Sequence, residues 1–217
     1  MPTESALAAP QRRVGRPARG TEGEATLRIL DAATPIFLSE GFEAASIDAI
    51  ATAAGISKKT FYVRFGSKAD LFEAVCVRFI EQRIPAIARE AAHDGPVGER
   101  LHRLALATLQ SALVPDVVAF QRIITAEAKR FPQFAHAMCD FGQSRIHAMI
   151  EHCLEAGVRT GQIVVEDVRF AANYFLNATI RQPLDMAVLG LERPEMTHLK
   201  REALKRNVEM FLRGVRP

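Results

Sequence analysis

The stretch Ser46–Phe72, "SIDAIATAAGISKKTFYVRFGSKADLF", constrains the fold of this chain more than any other. Ser46, Ser57 and Ser67 each stand where a side-chain oxygen caps the start of a helix. Asp70 follows Ser67 at the spacing of a capping-box acid. Two short helices are expected, over 47–54 and 58–65, with a third opening at Ser67. The first turns Ile47, Ile50, Ala51 and Ala54 inward, and the second turns Phe61 and Phe65 inward. Gly55 between them supplies the positive φ of a tight turn, and the small side chain of Ala51 lets the second helix cross closely. This is the pattern of a helix-turn-helix. Positions 57–68 hold four basic residues and no acid, which suits a helix start entering the major groove of DNA.

The rest of the chain continues the helical theme. Segment 22–40 carries Leu27, Leu30, Ala33 and Phe37 at helical spacing, with Gly41 as its stop and Pro35 as an expected kink. The helix from Ser67 runs to about 90 with Leu71, Val75, Phe79 and Ile80 inward, and Pro85 is expected to bend it. A turn cluster at 91–98 follows. Further helices are expected at 98–114, 116–130, 132–159, 166–190 and 194–213. The run "QIVVED" at 162–167 reads as extended but has no partner strand. The fold class is therefore all-α: a three-helix N-terminal domain with a helix-turn-helix, then a larger C-terminal helical domain. The expected divisions are a basic arm at 1–21, the helix-turn-helix domain at 22–67 and the C-terminal domain at 68–217.

Charge placement separates the arm from the body. The arm holds Arg12, Arg13, Arg16 and Arg19 against Glu4, an excess of three that equals the net charge of the whole chain. A neutral body with a basic arm points to a polyanion partner for the arm. The segment "GRPARG" with flanking arginines suits a narrow A·T-rich minor groove. A solvated basic tail explains the same residues equally well. With 217 residues, 48% of them apolar, the chain can bury a core without disulfides or metals. No apolar run reaches the roughly 18 residues that span a bilayer, and no secretory leader is visible. Cys76, Cys139 and Cys153 form an odd set without a Cys-x-x-Cys pair, which fits a reducing cytoplasm.

Residues 24–72 resemble the DNA-binding domain of the TetR family of transcriptional regulators. The resemblance rests on "ILDAATPIFLSEGFEAASIDAIATAAGIS" followed by "KKTFYVRFGSKADLF". Gly55, Thr60-Phe61-Tyr62, Phe65, Lys68 and Asp70 fall in the family's order and spacing. Pro35, Gly66 and the Ser46-Ile47 start depart from its usual pattern. The resemblance implies base-edge contacts from Lys58, Lys59 and Thr60 behind the Ser57 cap. It implies phosphate contacts from Tyr62 and Lys68, with Arg64 on the same rim. Backbone amides at the Ser46 and Ser67 caps suit phosphate oxygens. Lys58 and Lys59 also read as a solvated helix start, yet cations there oppose the helix dipole by a few tenths of a kcal/mol, which favours a function. Tyr62 also reads as a half-buried core residue, and Phe61 and Phe65 read as core.

For the C-terminal domain the resemblance implies a dimer that binds a small-molecule inducer and respaces its DNA-reading helices. Stripes of Phe175 and Thr179 on one helix, and Leu204, Val208 and Phe211 on the last, are the expected dimer interface, against packing within one chain. Phe120, Phe134, Met138, Phe141, Phe175, Asn177 and Arg181 are candidate pocket residues, against an ordinary core. Arg181 is expected to pair with Asp185 one turn on. His136, Cys139 and Asp140 lack a fourth metal ligand, and Cys153 lies ~25 Å further along the same helix, so no metal or cofactor is expected. Nothing resembles a phosphate loop, a nucleophile elbow or His-Glu-x-x-His, so no enzyme is expected. The reading is a cytoplasmic, homodimeric repressor that binds double-stranded operator DNA and is released by an effector of unknown identity. The alternatives are an architectural DNA-binding protein using the arm, and a non-DNA module carrying a decayed motif.

Overall fold

The computed structural model describes residues 19–217. Arg12, Arg13 and Arg16 lie outside the described residues. Among those described, the chain is helical and has no strand. Helix α1 spans Arg19–Ala44 and is broken at Gly41, whose φ of 79° and ψ of 178° are not helical. Pro35 does not end α1; the Thr34 hydroxyl donates to the Leu30 carbonyl one turn back. α2 (Ile47–Ala53) and α3 (Lys58–Arg64) follow, then α4 (Lys68–Glu81) and α5 (Ile84–Ala91). The expected helix at 67–90 is thus two helices, because Pro85 opens a new first turn.

α6 (Val97–Ala112) and α7 (Pro115–Glu127) complete the middle of the chain. α8 (Pro132–Met138) runs into α9 (Ser144–Arg159) through one π turn at Cys139–Gln143. α10 (Val168–Leu176) runs into α11 (Gln182–Val188) through a second, at Asn177–Arg181. α12 (His198–Gly214) ends the fold. "QIVVED" forms no strand, and the Val164 N–H donates to the Val215 carbonyl beyond α12.

Among the described residues the buried apolar side chains form two cores. The N-terminal core is aromatic: Phe37, Phe61, Phe72 and Phe134 are fully buried. Phe72 meets Phe37 edge-on at 4.9 Å and Phe134 at 4.6 Å, and Phe42 adds contacts to both Phe72 and Phe134. Such pairs contribute about 0.5–1.5 kcal/mol each beyond their buried area. This core draws on α1, α3 and α4, and also on Phe120, Ile124 and Phe134 of α7 and α8. The second core is aliphatic and forms where α6, α9, α10 and α12 meet around Leu101, Leu104, Leu154, Phe175 and Leu204.

Phe175, Thr179, Leu204, Val208 and Phe211 are all buried within this single chain. They are core rather than an interface, which corrects the expectation. Their stripes are the inward faces of α10 and α12, and Phe175 meets Phe211 edge-on at 5.0 Å.

Candidate nucleic-acid interface

The turn between α2 and α3 is built from the backbone outward. Gly55 has φ of 65°. Its N–H donates to the Thr52 carbonyl, and the Ile56 N–H donates to the Ala51 carbonyl. These two bonds close α2 with a Schellman motif. Ser46 Oγ accepts from the Ala49 N–H at 3.0 Å, Ser57 Oγ from the Thr60 N–H at 3.1 Å and Ser67 Oγ from the Asp70 N–H at 3.1 Å. All three expected caps are in place. Ile50 and Phe61 are fully buried beneath them. With its inner side fixed, α3 turns Lys58, Lys59, Tyr62 and Val63 to solvent.

The charges on this face are unequal. Lys58 pairs with Asp48 of α2 at 2.9 Å, and that hydrogen bond raises its pKa above the ordinary lysine value. Asp48 is the acid that a count over 57–68 overlooks. Lys59 is exposed and makes no ion pair among the described residues. The Thr60 side chain shares a 2.9 Å hydrogen bond with Ser57. Tyr62 is about half exposed with its ring edge-on to Phe61, and Arg64 is half-buried. Val63, at 74% exposed, is an outward apolar residue that reading for charge passes over.

Lys68 has a different position. Its ammonium donates to the carbonyls of Glu43 (2.8 Å) and Ala45 (2.9 Å) and lies 4.8 Å from the centre of the Phe42 ring. Two of its three N–H groups tie the start of α4 to the end of α1. Arg130 of α7–α8 pairs with Glu43 at the same corner.

A second candidate site lies at the far end of α4. A cavity of about 170 Å³ is walled by α4 and α5 (Phe79, Arg83, Ile84) together with α6, α7 and both π turns. Of the expected pocket residues, Met138, Asn177 and Arg181 line it. Phe120 and Phe134 are instead aromatic core beside Phe79 and Phe72, and Phe175 belongs to the aliphatic core. Phe141 faces a surface hollow against α1 and α4. Arg181 pairs with Asp185 at 3.1 Å, as its spacing suggested. Sequence reading missed Ile84 and Arg83, although an arginine inside "FIEQRIPAI" is a visible irregularity.

No three His, Cys, Asp or Glu side chains among the described residues come together to hold a metal. No single helix among them is long and apolar enough to cross a membrane.

Residues 29–75 match the family of bacterial regulatory proteins of the tetR type, and residues 99–214 match the AefR-like transcriptional repressor C-terminal domain. The chain belongs to the TetR family. As a member of it, the protein is a DNA-binding transcriptional regulator and not an enzyme. The solved structure of the flavonoid-responsive regulator FrrA is 30% identical, with a TM-score of 0.72 over 90% of this chain and 98% of that one. The transcriptional activator FasR of Mycolicibacterium smegmatis is 29% identical over 50% of this chain and 49% of its own length. The transcriptional repressor BdcR of Escherichia coli is 36% identical over 40% of this chain and 42% of its own. The chain thus spans about half the length of these two curated relatives. These relatives therefore include both an activator and a repressor.

Proposed function

We propose that this TetR-family regulator is a cytoplasmic homodimeric repressor that leaves a palindromic operator when a small molecule fills the α4–α5 cavity. The single observation that carries the reading is the path of α4. Its first half holds Leu71, Phe72 and Val75 in the core that fixes α3, and its second half supplies Phe79 and Ile80 to the cavity wall. A ligand that prefers one setting of α4 thereby biases the spacing of the two DNA-reading helices. The similarity to a flavonoid-responsive regulator supports a ligand-responsive reading.

On DNA, Ser57, Lys59 and Thr60 reach base edges and Val63 meets a thymine methyl. Lys58 serves there only by exchanging Asp48 for DNA. Ser46, Tyr62 and Arg64 meet phosphates. Lys68 acts mainly by bracing α4, with one N–H left for a phosphate. Arg12, Arg13 and Arg16 follow the adjacent minor groove. The dimer face is the outer side of α10 and α12, where Phe170 is 68%, Tyr174 55% and Met210 64% exposed beside Val164. An apolar patch of this kind marks an interaction surface.

Selection of bound sites from random duplex DNA at physiological salt, with stoichiometry recorded, tests the reading. The expected result is a palindrome bound by an even number of chains, with affinity falling by ~1–3 kcal/mol in Lys59→Ala and less in Lys58→Ala. Enrichment of A·T-rich DNA without symmetry would instead favour an architectural role for the arm.

A further inference from the structure

The cavity differs from an ordinary packing defect in its charge. Its walls are mostly aliphatic, with Ile80, Ile84, Ile146 and Leu184 among them. Two arginines line it, Arg83 and Arg181, and no aspartate or glutamate does. Arg181 is answered by Asp185. Arg83 has no ion-pair partner within 4 Å among the described residues. Asp116, whose charge bears on Arg83, is an exposed residue outside the lining.

Arg83 is also held in place. Its guanidinium lies 3.5 Å from the centre of the Phe79 ring, and its Nη1 donates to the Phe79 carbonyl at 2.7 Å. Ring and carbonyl together fix the guanidinium plane and one donor of five. The remaining fork is preorganised for a planar, two-oxygen acceptor. Burial disfavours its charged form, and an incoming anion would reverse that penalty.

Size restricts the rest of the ligand. Apolar cavities of ~150 Å³ admit benzene, so 170 Å³ holds a body of about one six-membered ring plus a small polar group. A phosphate monoester dianion would bring a second charge that no other unpaired cation in the lining answers, because Arg181 is held by Asp185.

We infer that the effector cavity takes a small monocarboxylate with an apolar body of about one ring, its carboxylate on Arg83 and its body among Ile84, Ile146 and Leu184. The inference rests on the effector reading above but concerns ligand class alone.

Benzoate is the probe, with benzamide as its neutral isostere and unsubstituted flavone as a three-ring competitor. Binding to the full chain, without DNA, is read by calorimetry and by thermal shift. Benzoate is expected to bind saturably and at least about tenfold tighter than benzamide. Arg83→Met should abolish that preference while leaving benzamide binding within about threefold, and Arg83→Lys should restore part of it. Ala112→Phe, which fills the cavity and leaves Arg83 untouched, should block both ligands and guards against misfolding of the arginine variants. Equal binding of benzoate and benzamide, a preference that survives Arg83→Met, flavone binding tighter than benzoate, or no saturable benzoate binding would each overturn the inference. Operator release is measured separately on the selected DNA. Benzoate binding without release would count against the effector reading alone, and release by another ligand class would count against this inference alone.

Discussion

Replacing Phe134 by alanine separates two roles that this residue has in principle. A phenylalanine lining a ligand cavity leaves a larger cavity when truncated, at modest cost. A phenylalanine in a closed core leaves a void. Phe134 is fully buried, with ring centres 4.6 Å from Phe72, 5.2 Å from Phe42 and 5.1 Å from Phe131. Truncating a buried Phe to Ala costs about 3–5 kcal/mol when the site collapses little. Three aromatic neighbours, themselves interlocked, leave little scope for collapse, so a loss of ~4 kcal/mol is expected. That is a large share of the ~5–15 kcal/mol that holds a domain folded. With a urea slope of about 2 kcal/mol/M, the unfolding midpoint should fall by ~2 M. Urea titration at one fixed protomer concentration is the assay, because the proposed dimer would make apparent stability concentration-dependent. Met138→Ala, half-buried at the cavity edge, should cost roughly half as much or less. A Phe134→Ala loss below ~2 kcal/mol, or equal to that of Met138→Ala, would refute the closed aromatic core.

Three further outcomes are expected. Gly55→Ala meets no atom within 4 Å, so its cost of about 1 kcal/mol comes from a φ of 65° alone; thermal melting should show that loss, with weaker operator binding as α2 and α3 lose their angle. Tyr174→Asp with Phe170→Asp should convert the proposed dimer to monomer in sedimentation while helical circular dichroism is retained; an unchanged sedimentation coefficient would reject the α10–α12 outer face. Titration of the native protein with a thiol reagent should modify Cys139 quickly and Cys76 and Cys153 only on unfolding, since Cys139 is exposed and burial raises the pKa of the other two thiols.

Much of the reader domain was legible because its signals are local. A serine at each helix start and a glycine at the turn act through bonds spanning a few residues, and Ser46, Ser57, Ser67 and Gly55 all appear where their chemistry placed them. The C-terminal domain was less legible because its signals are periodic. A periodic stripe says that a face is buried, not whether the same chain or a second one buries it. The stripe Leu204, Val208, Phe211 is covered by α6 and α10 of its own chain, and the outward Phe170, Tyr174 and Met210 carry the weaker pattern. The π turns add a further obstacle. Each advances the helix by an extra residue, so the faces before and after Asn177–Arg181 are out of phase for any fixed 3.6-residue reading. The cavity escaped because its walls come from helices far apart in sequence, and only the folded chain brings Arg83 and Asn177 to one cavity.

The aromatic core that admits Phe120, Ile124 and Phe134 also bears on how this protein can be recombined. A fragment ending at residue 67 would leave out Phe72 and every residue that α7 and α8 press against it. The resulting bare face on α1 would make such a fragment sticky rather than portable. Chimeras that graft this reader onto another C-terminal domain therefore need a matched set, with α4 and the inward phenylalanines of α7 and α8 travelling together. Where the recipient places a smaller side chain opposite Phe72, the graft would carry a void at the joint between the two domains.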